Sequence, residues 1–287
     1  ALRKYTPEQR IRIVEQAIYN TPEIGLVIID GIRDMVYDIN SPSESTRIIS
    51  KLMQWRGIGR AIALAFGRAG YNVVLNASKS AAQLEETKSL LESEAIPVLA
   101  VLADVSDYEG CKLLFAKIEE TFGMVDVLVN NAGISHIGLF TDMTPAEWNH
   151  VLDVNLGSVL NCTHLAVPAM VSEKDGVILN ISSMWGEVGA SCEAVYSASK
   201  GGINAFTKAM AKELGPSHIR VNAISCGVID TEMNACFSED ERQALADEIP
   251  LMRFGQPEEV AELAVFLADQ KASFLTGKII TLDGGML

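Results

Sequence analysis

From residue 57 onward the chain switches repeatedly between two hydrophobic patterns, an amphipathic period of about 3.6 residues and short continuous apolar runs. GIGRAIALAFGRAG carries the helical period, YNVVLNA is an apolar run that predicts a buried strand, AAQLEETKSLLESEA is helical, and IPVLAVLADV is a second strand. CKLLFAKIEETFG then predicts a helix, and VDVLVNNAG a strand ending in a turn. The series continues with the helix PAEWNHVLDVNLGSVL, the strand GVILNISS and the helix YSASKGGINAFTKAMAKEL. It closes with the strand IRVNAIS, a helix around PEEVAELAVFLAD and the strand KIITLDGG. Strands that alternate with helices predict a parallel sheet covered on both faces, which is an α/β, doubly wound, Rossmann-like fold. Ligands of such folds bind outside the carboxyl ends of the strands.

Composition narrows the picture. A chain of 287 residues with 48% hydrophobic content can bury one large core, with an addition. The formal charge of -14 argues against nucleic acid or an anionic membrane as partner, since both call for basic patches. No apolar run is expected to reach membrane-spanning length, and ALRKYTPEQRIRIVEQ lacks a secretory apolar stretch, so a cytoplasmic location is expected. The 5 cysteines (Cys111, Cys162, Cys192, Cys226, Cys236) are odd in number and form no C-x-x-C pair, which predicts reduced thiols. His136, His150, His164 and His218 are dispersed, so no metal site is expected.

Four residues can together polarise a carbonyl and hand it a proton. Tyr196 and Lys200 stand four apart on one predicted helix and share a face, and an ammonium beside a phenol favours the phenolate. Ser183 lies where the strand GVILNISS runs out, so its hydroxyl can hold a substrate oxygen. Asn155 lies in a helical stretch, where its amide can accept from or donate to a water and so relay protons to Lys200. Gly57 and Gly59 open a helix, where missing side chains let backbone amides approach a phosphate. At the end of YNVVLNA an acidic residue would hold a ribose 2′-hydroxyl; Asn76, Ser78 and Lys79 stand there instead, which favours NADP(H) while leaving NAD(H) possible.

The order and spacing of Asn155, Ser183, Tyr196 and Lys200 resemble the short-chain dehydrogenase/reductase family over residues 57–287, through the terminal FLTGKIITLDGGML. The resemblance implies that Gly57, Ile58 and Gly59 face the pyrophosphate, that Asp104 and Val105 hold the adenine, and that Asn130 to Gly133, including Asn131 and Ala132, form the next cofactor-facing turn. It likewise implies that Thr231 contacts the nicotinamide end, that Gly227 and Ile229 cover the ring, and that Tyr196 and Lys200 serve the cofactor as well as the chemistry. Cys226 departs from the family's usual proline. The segments GGINAFTKAMAKELGPSHIRVNAISCGVIDTEM and RFGQPEEVAELAVFLAD look most like the family's 3-oxoacyl-[acyl-carrier-protein] reductases. The expected activity is therefore reduction of a ketone, foremost a 3-oxoacyl thioester bound to a carrier or a small molecule. Hydroxysteroid or sugar-alcohol oxidoreduction is the alternative, with Met233 to Pro250 as the variable substrate loop. Homodimers or homotetramers are also implied.

Residues 1–56 read as foreign to this pattern. The family begins with an apolar strand and Thr-Gly-x-x-x-Gly-x-Gly, whose Thr and first Gly would fall on Leu52 and Met53. A methionine at such a tight turn is expected to cost cofactor binding. TPEIGLVIIDGIRDMVYDINSPSESTRIISKLMQW resembles the Walker B region of RecA-type ATPases of mobile elements, with Asp30 ending LVIID. No G-x-x-x-x-G-K-[ST] loop accompanies it, so ATP hydrolysis is not expected. A chimera that replaced the first strand is one expectation, and a catalytically impaired scaffold would be its consequence. The other is that residues 25–30 serve as a substitute central strand, with Gly31 standing in for the missing glycine, because an empty slot in a parallel sheet leaves backbone groups unpaired.

Overall fold

The computed structural model describes residues 28–29, 57–231 and 238–287. Asp30, Gly31, Leu52, Met53, Cys236 and positions 232–237 of the substrate loop lie outside the described residues. Along the chain the strands are β1 (Ile28–Ile29), β2 (Val73–Ala77), β3 (Val98–Leu102), β4 (Val127–Asn130), β5 (Gly176–Ser183), β6 (Ile219–Cys226) and β7 (Ile279–Leu282). The α-helices are α1 (Ile58–Arg68), α2 (Ala81–Ser93), α3 (Tyr108–Phe122), α4 (Pro145–Leu152), α5 (Ser158–Glu173), α6 (Trp185–Val188), α7 (Ala194–Leu214), α8 (Glu239–Asp247) and α9 (Pro257–Ala268).

Every pairing between these strands is parallel. One hydrogen-bonded run has the order β1, β4, β5, β6, β7, and β2 pairs with β3. Ile28 stands opposite Val129 and Ile29 opposite Asn130, and β1 also lies against β2. Strand alternation divides the core in two. Val127, Val129, Val177 and Leu179 meet Ile62 and Phe66 of α1 and Val260 and Leu267 of α9 on one face. Leu128 and Ile178 meet Leu114 of α3, Cys162 and Met170 of α5 and Leu214 of α7 on the other. Helices on both faces of a parallel sheet make this the doubly wound α/β fold that the sequence predicts.

Buried asparagines interrupt the aliphatic strands. Asn130 and Asn180 stand opposite one another, and Asn130 Nδ2 donates to Asn180 Oδ1 at 2.8 Å. Asn180 Nδ2 donates in turn to Thr207 Oγ1 of α7 at 2.8 Å. In β6, Asn222 Nδ2 donates to the Leu275 carbonyl at 2.8 Å, and its Oδ1 accepts from the Lys278 amide at 3.0 Å.

The helix leading to Asn155 begins with a capping box between Thr144 and Glu147 and a proline at its first turn, and both devices favour a sharp start. It runs through a π-helical turn, Asp153–Gly157, into α5. Within the continuous span Pro145–Glu173 an 18-residue window reaches a mean hydropathy of 1.2, enough by length and composition alone for a membrane crossing. This corrects the expectation that no such run occurs. Its apolarity has another use here, since α5 packs against α3, β4 and β5 and the π turn packs against α7. Cys111, Cys162, Cys192 and Cys226 are free thiols. Burial beside Cys111 pushes the Cys162 thiol well above its ordinary value, which keeps it protonated and unreactive.

Candidate active site

β5 delivers Ser183 to its carboxyl end, where the Ser183 hydroxyl accepts from the Trp185 amide of α6 at 3.2 Å. α7 then crosses behind α6 at very short range. A Cβ added at Gly186 would sit 2.7 Å from the Lys200 carbonyl carbon and 2.9 Å from the Gly201 nitrogen, so only glycine lets the two helices approach this closely. That contact seats Tyr196 and Lys200 over the strand end. Lys200 is buried, its Nζ donates to the Ile181 carbonyl at 2.9 Å, and it lies 5.6 Å from the centre of the Tyr196 ring.

Asn155 is fully buried in the π turn, a distortion that is frequent at functional sites because it re-aims a side chain. Its Oδ1 accepts from the Ile134 amide at 2.7 Å, while Nδ2 donates to the Ile134 carbonyl and to Ser199 Oγ, both at 2.9 Å. Ser199 donates onward to the Tyr196 carbonyl at 2.6 Å. Both amide hydrogens are thus committed, and a water on this side chain can be met only by Oδ1 as acceptor. A Cβ at Gly133 would come within 3.3 Å of Lys200 Nζ and 3.6 Å of Asn155 Oδ1, so the glycine keeps open the space between them.

Ser183, Tyr196, Lys200 and Gly133 line one solvent-open cleft together with Asn131 and Thr231, while Asn155 is not part of its lining. Ile58, Gly227 and Ile229 also line it, at the side where α1 begins. Gly57 precedes α1 with no side-chain cap, and Gly59 is buried in its first turn. Gly227 turns so tightly against the C-terminal segment that a Cβ there would meet Asp283 Cα at 2.6 Å. This floor of bare backbone suits a flat ring and a diphosphate.

The remaining predicted cofactor residues separate into two groups. Asn76 is fully buried, and its amide donates to the Val101 and Ala103 carbonyls, each at 3.0 Å. It ties the ends of β2 and β3 together, whereas Lys79 is exposed and Ser78 half-buried beyond the strand. Asp104 is exposed, with Oδ1 accepting from the Ser106 amide at 2.9 Å and the Ser106 hydroxyl at 2.7 Å. Val105 beneath it is buried, and its carbonyl accepts from Asn161 Nδ2 at 3.0 Å. Ala132 is buried beside Asn131.

Several groups that shape the site carry no signal in one sequence, because their partners lie far along the chain. Ser182 lines the cleft and donates to Asn204 Oδ1 at 2.7 Å. Glu187 accepts from Ser225 at 2.6 Å and from Thr281 at 3.1 Å, tying α6 to β6 and β7. Cys226 lines the cleft at the end of β6, and its carbonyl accepts from the Met184 amide at 3.0 Å.

Ile229 bridges to Gly255, so the turn before α9 braces the loop at the cleft. Arg253 holds Glu259 with two hydrogen bonds of 2.8 and 2.6 Å, and Glu259 also accepts from the Gln256 amide at 2.7 Å. These donors pull the Glu259 carboxyl down to about 2, the Arg253 bond contributing most. A carboxyl depressed on folding stabilises the fold above its unfolded value of about 4.3 and loses that contribution as pH falls toward the folded value. Glu259→Gln is expected to lower the melting temperature by about 1–2 °C at neutral pH, a small effect because the pair is exposed. Melts of both proteins from neutral pH downward should show the difference narrowing below about pH 4.5, and a constant difference would refute the linkage.

Comparison with known proteins defines the class. The family described as Enoyl-(Acyl carrier protein) reductase matches residues 53–287. The chain belongs to the short-chain dehydrogenase/reductase family and is an NAD(P)-dependent oxidoreductase. Among its relatives is the 3-oxoacyl-[acyl-carrier-protein] reductase FabG of Staphylococcus aureus strain Mu50, 39% identical over 231 residues, covering 80% of this chain and 94% of that protein. FabG of Thermotoga maritima is 39% identical over 234 residues, with 80% and 94% covered. The uncharacterized oxidoreductase YmfI of Bacillus subtilis strain 168 is 39% identical over 232 residues, again with 80% and 94% covered.

Proposed function

We propose that this protein reduces the ketone of a 3-oxoacyl thioester, carried by acyl-carrier protein or a small thiol, to a secondary alcohol in the cytoplasm, with NADP(H) preferred over NAD(H). The observation that carries this reading is the convergence of Ser183, Tyr196 and Lys200 on one cleft at the carboxyl ends of β4, β5 and β6, with Gly133 keeping the space beside Lys200 open. The names of the FabG relatives support the substrate class.

The substrate oxygen would lie between the Ser183 hydroxyl and the Tyr196 phenol. A bound nicotinamide supplies the hydride that reaches the carbonyl carbon. Tyr196 gives its proton to the oxygen, and Ser183 orients that oxygen and stabilises its growing charge. Lys200, fixed by the Ile181 carbonyl, keeps a positive charge beside the phenol as the proton leaves. Asn155 holds the Ile134 segment in place and offers Oδ1 to the water that returns a proton toward Lys200. Preference for the 2′-phosphate rests on exposed Lys79 and on the absence of an acidic side chain from Asn76 to Lys79.

Ile28 and Ile29, inside the predicted segment 25–30, serve in this reading as the first strand of the domain, supported by their pairing with β4. Assembly into dimers or tetramers is supported by large apolar side chains left exposed, Leu113 and Leu160 on the helices and Phe274 and Leu287 near the C-terminal strand.

The test is a fluorescence titration with NADPH and NADH, followed by a short 3-oxoacyl thioester. Saturation in the micromolar range, at least about tenfold tighter for NADPH, with thioester-dependent oxidation is the expected result. Tighter NADH binding would overturn the cofactor preference. No binding of either would mean that the rebuilt first strand has cost the site its cofactor.

A further inference from the structure

The loop after β4 is held by more than Asn155. Ser135 donates its hydroxyl to the Glu193 carboxylate, and the Gly138 amide donates to the Cys192 carbonyl at 2.8 Å. Both bonds end on the two residues just ahead of α7, and Tyr196 follows Glu193 by three positions, one helical turn. Glu193 occupies the N-cap of α7, where an acidic side chain could fold back on the free helix amides, yet it makes no such cap. Its carboxylate reaches across to Ser135 instead. Burial pushes the Glu193 carboxyl above the ordinary range, and the Ser135 bond only partly offsets this. A carboxylate can accept about four hydrogen bonds. One hydroxyl is poor compensation for the water it gives up, so stability alone does not account for the side chain.

The linked segments both lead to the cleft that the proposed function assigns to the carbonyl. Gly133, which lines it, is followed by Ile134 and Ser135, and Tyr196, which also lines it, follows Glu193 by three positions. Beneath them Ile134 and Val195 share an apolar cluster with Met143, Val151 and Val154. Apolar contact is non-directional, so the loop's lateral position falls to its hydrogen bonds, those of Asn155 at Ile134 and those that Ser135 and Gly138 make to the residues ahead of α7.

We infer that Glu193 is a positioning residue: through Ser135 it fixes the loop Gly133–Gly138 against the start of α7 and so sets the distance between Tyr196 and the carbonyl it protonates. This rests on the reductase reading above. The pair is tested with Glu193→Ala, Glu193→Gln and Ser135→Ala, measuring thioester turnover, NADPH affinity, melting temperature and amide hydrogen exchange across residues 133–138. Glu193→Ala is expected to lower kcat by about tenfold to a hundredfold, the scale of a misplacement near 1 Å, with NADPH affinity unchanged. Glu193→Gln should recover most of the rate, since its amide oxygen still accepts from Ser135. Ser135→Ala should match Glu193→Ala, and the double variant should lose no more than either. Amide exchange in the loop should quicken in Glu193→Ala without a fall in melting temperature. An unchanged rate and unchanged exchange in Glu193→Ala would overturn the inference, as would equal losses of turnover, cofactor affinity and melting temperature. Should the parent protein turn over no ketone at all, the reductase reading fails, and the exchange measurement still judges the tether.

Discussion

Tyr196→Phe is expected to abolish most of the turnover while leaving the protein folded and able to bind NADPH. The substitution removes one oxygen from a half-buried side chain and leaves the ring in the packing between α7 and the cleft. What disappears, under the proposed mechanism, is the proton donor. Ser183 still orients the ketone and Lys200 still supplies positive charge, but neither can hand over a proton from the same place, since Lys200 Nζ is drawn back onto the Ile181 carbonyl at 2.9 Å. A positioned general acid contributes about 100- to 10,000-fold, so kcat should fall by that range. Steady-state kinetics with the thioester, beside an NADPH titration, checks the split. Retention of more than about a tenth of the parent rate would assign the proton to another group.

Gly186→Ala is expected to damage stability and catalysis together. The added methyl would meet backbone atoms of Lys200 and Gly201 at 2.7 and 2.9 Å, and no rotamer change relieves a clash with backbone. α6 and α7 must part, at a cost of about 1–3 kcal/mol. In a domain of this size that lowers the melting temperature by about 3–10 °C. The same displacement shifts Lys200 and Tyr196 relative to Ser183, so turnover should drop by about tenfold or more. Gly157→Ala is the control, because its helical backbone suits alanine and a Cβ there meets nothing closer than the Leu152 carbonyl oxygen at 3.7 Å. Equal behaviour of the two variants in melting and kinetics would show that the close approach of α6 to α7 does not matter.

The sequence made the alternation of strands and helices legible because each element announces itself locally, in a period of apolar residues over ten or so positions. Tyr196 and Lys200 were legible for the same reason, being one helical turn apart. Asn155 was readable as a helical residue, but the π turn that aims it and the commitment of its amide to Ile134 and Ser199 were not. Asn76 illustrates the opposite limit. Its place at a strand end grouped it with Ser78 and Lys79, while tertiary pairing of β2 with β3 drew its amide inward onto Val101 and Ala103. Gly186, Glu187 and the Ser135–Glu193 pair meet partners between 14 and 94 positions away, a separation at which one chain offers no pattern to read.

The asparagine pins in the sheet bear on how this chain avoids folding wrongly. Parallel strands made of valine, leucine and isoleucine are nearly interchangeable with themselves after a shift of two positions, which returns every side chain to its original face. Shifting β4 by two against β5 would part Asn130 from Asn180 and, depending on direction, set Asn180 against Leu128 or Asn130 against Ile178, stranding a buried amide at about 1–3 kcal/mol. The buried asparagines therefore act as an address written across the sheet: they penalise slipped alternatives more than they strengthen the correct alignment. Replacing them with matched aliphatics could raise the melting temperature and, in the same stroke, let trapped misaligned states compete during refolding.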